Sequence, residues 1–458
     1  MKYHTCTTFL AGKKATIDGS TIVCRVEDYS NNFDPQRFVV VKPENQPQHY
    51  ESKITKFTID LPTNPLRYTA TPDADNSAGI FGASGINSAN VSMTATETIT
   101  SNPRILSLDP YNSEDGIGEE DFLTLVLPYV RTAKQAVERV GQLLENYGTY
   151  EANGLAFGDQ EEVWYLETIG GHHWAAVKIP DDAYVIAPNR LNITHFDFAA
   201  NNTLCSADLK NLIDSNHLNP EQDDYNLRLI FGSSTIRDTR YNNPRAWYVQ
   251  RRLSGDQENQ PTDQMLPFIN YPQRKITIQE IKELMSSHYQ GTDYDPYTNE
   301  DAPFRSIALN RNLELHILQI RNGVDPRISG VQWLAFGPNT VNAVVPFYTN
   351  IQETPQHYCD TKTTFDIQDI YWLNHTIMAI ADQHYQKVES MIEDFAEQVM
   401  TQTLALQHQA DREFSTKDDI TAFLSKVNEQ MAEISYQESM KLLGKLVNYG
   451  FMNAHLKY

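Results

Sequence analysis

Basic side chains are scarce in this 458-residue sequence: 37 lysines and arginines stand against 59 aspartates and glutamates, for a formal net charge of -22. A nucleic-acid-binding face needs cations to displace phosphate counterions, and this balance speaks against one. Cysteine is scarcer still. Cys6, Cys24, Cys205 and Cys359 are too few and too scattered for the disulfide framework of a small secreted domain. They read as reduced thiols, which fits a cytoplasmic protein. No apolar run of roughly 18 residues or more occurs, and Met1-Lys2-Tyr3-His4-Thr5 leads into no apolar signal core. Neither a membrane span nor an export signal is expected. HExxH, zinc-spaced Cys/His clusters, a Gly-rich phosphate loop and G-x-S-x-G are also missing, and His172-His173 is the sole adjacent histidine pair. Zinc, nucleotide and serine-hydrolase chemistry therefore lack sequence support, and no cofactor or metal is implied.

What is present is an ordinary globular composition, 40% hydrophobic and 21% charged, long enough to bury one large core. Strand-like segments come first, at 7–10, 21–26, 38–41 and 54–61, and are expected to share one sheet. Further strands are expected at 78–84 and 91–98, around a polar turn. A helical stripe covers 119–147, opened by an acidic first turn and closed by Gly148. A strand meander at 154–157, 163–168 and 173–179 precedes a strand at 184–186 and the loop Ala187-Pro188-Asn189-Arg190. Shorter helices are expected at 206–217, 244–253 and 277–287, the last capped by Thr277. Strands return at 313–321, 331–336 and 341–348, and helical stripes at 366–409 and 418–448 read as an antiparallel hairpin. The order predicts an α+β fold, two stacked sheets covered by helices.

The stretch that matters for chemistry is His4-Thr5-Cys6-Thr7-Thr8-Phe9-Leu10. Removing the five residues before Cys6 would put a thiol and a free α-amine on one residue. An α-amine has an ordinary pKa of about 7.7–8.0 and a thiol about 8.5, so the amine can take the thiol proton near neutral pH. Without that removal Cys6 reads as a small buried strand residue. A polar turn at 13–20 returns a second strand carrying Arg25 and Asp28. These two lie three apart, so reaching one site from a regular strand requires it to end or bend before Asp28; the plainer alternative is a surface ion pair. Cys24, beside Arg25, reads as structural.

Cys6, a hairpin, then Arg25 and Asp28 resemble the N-terminal-nucleophile hydrolases of the penicillin acylase and bile-salt hydrolase type. Longer stretches narrow the resemblance: Gly85-Ile86-Asn87-Ser88-Ala89-Asn90 running into Ser92-Met93-Thr94-Ala95-Thr96-Glu97-Thr98, Leu166-Glu167-Thr168-Ile169-Gly170-Gly171-His172-His173-Trp174, and Asn243-Pro244-Arg245-Ala246-Trp247-Tyr248. With Ser286-Ser287-His288-Tyr289-Gln290-Gly291-Thr292 and Val345-Pro346-Phe347-Tyr348-Thr349-Asn350, they are similar to the cysteine dipeptidases of lactic-acid bacteria, peptidase family C69. The resemblance implies an αββα hydrolase domain over 6–365, a propeptide at 1–5, a helical extension at 366–458 packed on the same domain, and a homo-oligomer. It implies dipeptide substrates with a free N-terminus and broad side-chain tolerance, attacked by Cys6 through a thioester. Asp28 would then orient the Cys6 amine, Arg25 would favour the thiolate, and Asn189 and Arg245 would stand at the oxyanion and substrate. The wider family places a second asparagine in the strand after Gly85-Ile86-Asn87. Here Thr94, Thr96 and Glu97 occupy the candidate positions, and Thr96 and Glu97 are expected to meet the substrate, a buried Glu97 by taking the ammonium of a dipeptide, although a structural role for it carries more weight. Two other readings stay open: an acylase for penicillin-like or bile-salt amides, and a non-catalytic relative that keeps the fold as an interaction protein.

Overall fold

The computed structural model describes residues 5–28 and 33–454, so the first four residues of the expected leader lie outside the described residues. The strand Thr7–Ala11 pairs antiparallel with Thr21–Asp28, and Gly19, at φ 75°, supplies the left-handed conformation that the intervening turn requires. Both strands are buried on both faces. Phe9, Leu10, Val23 and Val26 are fully buried, a contribution of about 1.5–3 kcal/mol each.

That two-sided burial decides which strands can lie beside the hairpin. The segments expected to extend the sheet do not join it: Val39–Val41 pairs with Tyr68–Ala70, and Thr58–Asp60 with His49–Glu51, as separate two-stranded ribbons. His49–Glu51 and Thr58–Asp60 expose alternate residues, so neither can stand in the middle of a sandwich. The neighbours instead come from far along the chain, Tyr184–Pro188 on one side and Asn312–Ile320 on the other. The finished seven-stranded sheet runs Ile269–Asn270, Tyr184–Pro188, Thr7–Ala11, Thr21–Asp28, Asn312–Ile320, Gly330–Phe336, Val345–Tyr348, antiparallel throughout. A six-stranded antiparallel sheet runs Thr203–Cys205, His173–Lys178, Val163–Ile169, Asn153–Gly158, Ser92–Thr98, Ser84–Ile86.

The sheets face each other through Leu10, Val23, Ala156, Tyr165, Val185 and Leu318. Outside the second sheet lie helices Glu119–Val126 and Ala133–Tyr147, with Leu125, Val137 and Val140 sharing a core with Phe157 and Trp164. Outside the first lie Asn243–Leu253 and the C-terminal helices, around Phe9, Cys24, Val26, Tyr248 and Met431. This is an αββα sandwich, the α+β class the element order predicts.

Two expected helices are interrupted. The 119–147 stripe breaks at Leu127–Tyr129, where Pro128 lacks the N–H that the helix needs, and Thr132 caps a new start on Gln135. The 366–409 stripe becomes Ile370–Ala381 and Tyr385–Glu413, joined by a tight turn at Asp382–His384. The latter helix turns back into Ile420–Met452, completing a helical hairpin on the edge of the first sheet. There Asn428 accepts from the Tyr348 N–H and donates to the Tyr348 carbonyl, both at 2.9 Å. A helix the sequence did not signal, Ile236–Tyr241, is capped reciprocally by Thr235 and Asp238 and leads into Asn243–Leu253.

Candidate active site

Strand alternation distributes the candidate residues over two faces. Thr8 stands opposite Arg25 and Thr7 opposite Val26, and the Thr5 N–H continues the pairing by donating to the Asp28 carbonyl at 2.9 Å. Cys6, Thr8, Arg25 and Glu27 therefore point between the sheets, while Thr7, Val26 and Asp28 point towards the outer helices. The strand runs on through Asp28. Cys6 stands just before Thr7–Ala11, so groups on both faces reach it, and the site straddles the sheet.

Between the sheets, Arg25 is the hub. Its Nη1 lies 3.1 Å from the Cys6 Sγ and 2.5 Å from the Thr96 carbonyl, while Nη2 meets Glu27 at 3.1 Å and Nε donates to Thr94 Oγ1 at 2.8 Å. Glu119 stands 3.6 Å from Nη1. The Thr96 carbonyl also faces Sγ at 3.6 Å, presented by a register shift between Ala95 and Glu97 against the neighbouring strand. It is thus the carbonyl of Thr96 that meets the cluster; its hydroxyl is buried with no hydrogen-bond partner among the described residues. Burial lowers the proton affinity of Arg25, but Glu27 first, with Cys6 and Glu119, outweighs it and the net shift is upward. The thiol of Cys6 is pushed well above its ordinary range by burial, with Arg25 opposing and Glu97, Glu27 and Glu119 adding to the rise. At neutral pH the buried thiol holds its proton.

On the other face, Asp28 accepts from the Thr5 hydroxyl, pairs with Arg305, and lies 3.6 Å from Arg311. Arg245, from the helix Asn243–Leu253, donates to the Cys6 carbonyl at 2.5 Å, Thr7 Oγ1 at 2.8 Å, Asn189 Oδ1 at 2.9 Å, Asn242 Oδ1 at 2.7 Å and the Tyr241 carbonyl at 2.9 Å. Those five acceptors use its donor fork in full. Burial and the neighbouring Arg305 bring its pKa down to about 10. Because Asn189 turns its oxygen to Arg245, its NH₂ faces the other way, with one bond to the Thr98 carbonyl at 2.9 Å.

Asn189 and Thr5 both line a cleft of about 600 Å³, together with Thr98, Tyr241, Asn242 and Arg311. Cys6, bonded to Thr5, is fully buried next to that lining. A cavity of similar size, about 620 Å³, opens between the helices Ile278–Met285 and Tyr385–Glu413 and contains none of the candidate residues. Among the described residues no group of three or more His, Cys, Asp or Glu side chains is arranged to hold a metal ion.

Glu97 accepts from Thr8 at 2.7 Å through one oxygen, and the other is buried with no hydrogen-bond partner among the described residues. Burial raises its pKa to about 8, against the pull of Arg245, Thr8, Arg25 and Arg305. A carboxyl group that binds its proton more tightly in the folded than in the unfolded chain costs stability as pH rises from about 4.5 towards about 8. Glu97→Gln, which keeps the contact to Thr8, is expected to raise Tm at pH 8 and leave it nearly unchanged at pH 5. Equal shifts at both pH values would contradict this assignment.

All seven sequence-derived candidates therefore converge: Cys6, Arg25, Thr96 and Glu97 between the sheets, Asp28, Asn189 and Arg245 around the outer face and the cleft. Sequence reasoning missed Glu27, Glu119 and Arg305. Glu27 was accessible, since alternation puts it on the face of Arg25. Glu119 reads locally as a helix-dipole residue, and only the stacking of the sheets brings it to Arg25. Arg305 follows a turn-rich loop with no local signal.

Residues 5–398 match the model of peptidase family C69. Probable dipeptidase B of Lactococcus lactis subsp. lactis (strain IL1403) is 52% identical over 462 residues, 99% of this chain and 97% of the relative. Dipeptidase A of Lactobacillus helveticus is 50% identical over 471 residues, 100% of this chain and 99% of the relative. A probable dipeptidase of Salmonella dublin is 33% identical over 356 residues, 77% of this chain and 82% of the relative. With a family model spanning most of the sequence and half-identical relatives along its whole length, the chain belongs to peptidase family C69.

Proposed function

We propose that the protein is a cysteine dipeptidase of the N-terminal-nucleophile type, in which residues 1–5 are removed and Cys6 is both nucleophile and base. The observation that carries the reading is the position of Thr5. It lines the cleft, it is joined to the Cys6 nitrogen, and its own N–H and hydroxyl are held by Asp28. Cleavage after Thr5 puts an α-amine where the cleft meets the thiol, with the Asp28 carboxylate beside it to orient an ammonium. The names of the relatives supply the substrate class, and the arginines of the cleft, Arg237 and Arg311, suit a substrate with a free carboxylate.

In this mechanism the amine takes the thiol proton as sulfur attacks the carbonyl carbon. Arg25 offsets the charge on sulfur, and the remaining N–H of Asn189 donates to the developing oxyanion, a contact worth about 3 kcal/mol at the transition state. The ammonium then protonates the leaving amine, the C–N bond breaks, and a thioester remains. Water, deprotonated by the same amine, attacks the thioester and releases the second product with the thiol restored. Glu97 takes the ammonium of the substrate on the oxygen that has no partner among the described residues, and the cation holds the carboxylate ionised against the burial that raises its pKa to about 8.

The test is a substrate panel run on protein whose intact mass shows a start at Cys6. Free dipeptides are expected to be hydrolysed, with kcat/KM lower by about 100-fold when the N-terminus is acetylated, because Glu97 then lacks its cation. Turnover of penicillin V or a glycine-conjugated bile acid in place of dipeptides would make the protein an acylase. Dipeptide hydrolysis by a chain that still begins at Met1 or Lys2 would require another base for Cys6.

A further inference from the structure

Arg25 meets Cys6 through Nη1, while its Nε leads into a separate line of buried groups. Nε donates to the Thr94 hydroxyl at 2.8 Å, that hydroxyl lies 2.8 Å from Nε2 of His316, and Nδ1 of His316 is hydrogen-bonded to the Glu314 carboxylate. Thr94 belongs to the second sheet, His316 and Glu314 to the strand Asn312–Ile320 of the first. His316 and Glu314 are completely buried, and Thr94 nearly so. A register shift between Asn312 and Glu314 sets Glu314 opposite Glu27 and His316 opposite Arg25, so both point between the sheets.

With His316 neutral and Glu314 ionised, the protons of this line have a single arrangement. A carboxylate only accepts, so the ring proton sits on Nδ1 and Nε2 is a bare acceptor. The Thr94 hydroxyl must then give its one proton to Nε2, which leaves its lone pairs for the Arg25 Nε–H. Each group is thereby turned by the next, from Glu314 to the guanidinium. The guanidinium is a rigid plane, so fixing Nε fixes the direction in which Nη1 points.

We propose that Thr94, His316 and Glu314 are positioning residues for the nucleophile, holding the plane of Arg25 so that its Nη1 stays on the Cys6 sulfur. The proposal rests on the reading of Cys6 as nucleophile. A histidine–glutamate pair in the middle of a sandwich core is costlier than apolar side chains of the same volume, and one Glu314 oxygen has no hydrogen-bond partner among the described residues. A purely structural position there would be filled more stably by leucine or valine. Thr94, one of the three candidate positions for a second oxyanion donor, thus serves Arg25 and not the oxyanion.

Thr94→Val removes the hydroxyl at nearly constant volume, and Thr94→Ser keeps it. The readouts are the rate at which iodoacetamide alkylates Cys6 at fixed pH, followed by the mass of the peptide that contains it, and kcat and KM for a dipeptide, with Tm as a check on folding. Thr94→Val and His316→Met are each expected to slow alkylation and lower kcat by about tenfold or more with KM within about twofold, and the double variant to fall no further than either single one. Thr94→Ser is expected to recover most of both rates. A folded Thr94→Val or His316→Met protein with wild-type rates would overturn the assignment. Should both fail to fold, Thr94→Ser and His316→Gln still decide, since each preserves the donor–acceptor order: rates within about threefold of wild type support it, and a tenfold loss overturns it. A wild-type Cys6 no more reactive than Cys24 would overturn the nucleophile reading itself.

Discussion

Cys6→Ala is expected to lower dipeptide hydrolysis by at least about 10⁴-fold while the protein stays folded, because no second nucleophile stands where the sulfur is. The lesion is small. One buried sulfur atom is lost from a site that Arg25, the Thr96 carbonyl and the adjoining strand hold from all sides, a change on the order of 1 kcal/mol. Cys24 cannot substitute: it lies on the opposite face of the sheet, among Phe9 and Val26 under the outer helices. Cys24→Ala, measured beside it, is expected to keep its activity. The comparison is made by kcat/KM with circular dichroism and Tm, and more than about 1% residual activity in Cys6→Ala would rule out the mechanism.

Arg25→Met is expected to damage both stability and catalysis. The guanidinium is fully buried and faces Glu27 at 3.1 Å and Glu119 at 3.6 Å. Removing one partner of a buried ionic cluster costs about 3–5 kcal/mol, since the buried carboxylates lose the charge that faces them. The loss is expected to appear as a lower Tm at neutral pH. Activity is expected to fall by about 100-fold or more, because burial raises the thiol pKa and Arg25 is the first charge that opposes it. Arg25→Lys is expected to fall nearly as far: a point charge cannot hold Thr94, Cys6 and Glu27 along three edges of one plane. An Arg25→Met protein as stable and as active as the wild type would remove Arg25 from the site.

The hairpin of Thr7–Ala11 and Thr21–Asp28 was legible because alternation and a polar turn are local signals. The strands flanking it were not, since pairing to Tyr184–Pro188 and Asn312–Ile320 is settled by which segments can be buried on both faces. Arg25, Glu27 and Asp28 illustrate the other difficulty. Charges on a strand read as a solvated face, yet every residue of Thr21–Asp28 is buried, and the partners that make this tolerable, Glu119, Thr94 and Arg305, come from three distant segments. The spacing of Arg25 and Asp28 looked awkward only on the premise that a site occupies one face of a sheet. Asn189 and Arg245 lie on a loop and a helix whose local sequences gave their positions, and the bond that joins them is tertiary.

Asn428 bears on how molecules of this protein meet one another. Val345–Tyr348 is the last strand of its sheet, and the outer edge of such a strand is a ready template for any extended chain, including a partly unfolded copy. The Asn428 carboxamide offers Tyr348 the same donor and acceptor that a residue of an added strand would offer. A side chain delivered by the final helix thus fills the place of a foreign backbone, and the C-terminal hairpin protects the sheet from aggregation as well as covering its core.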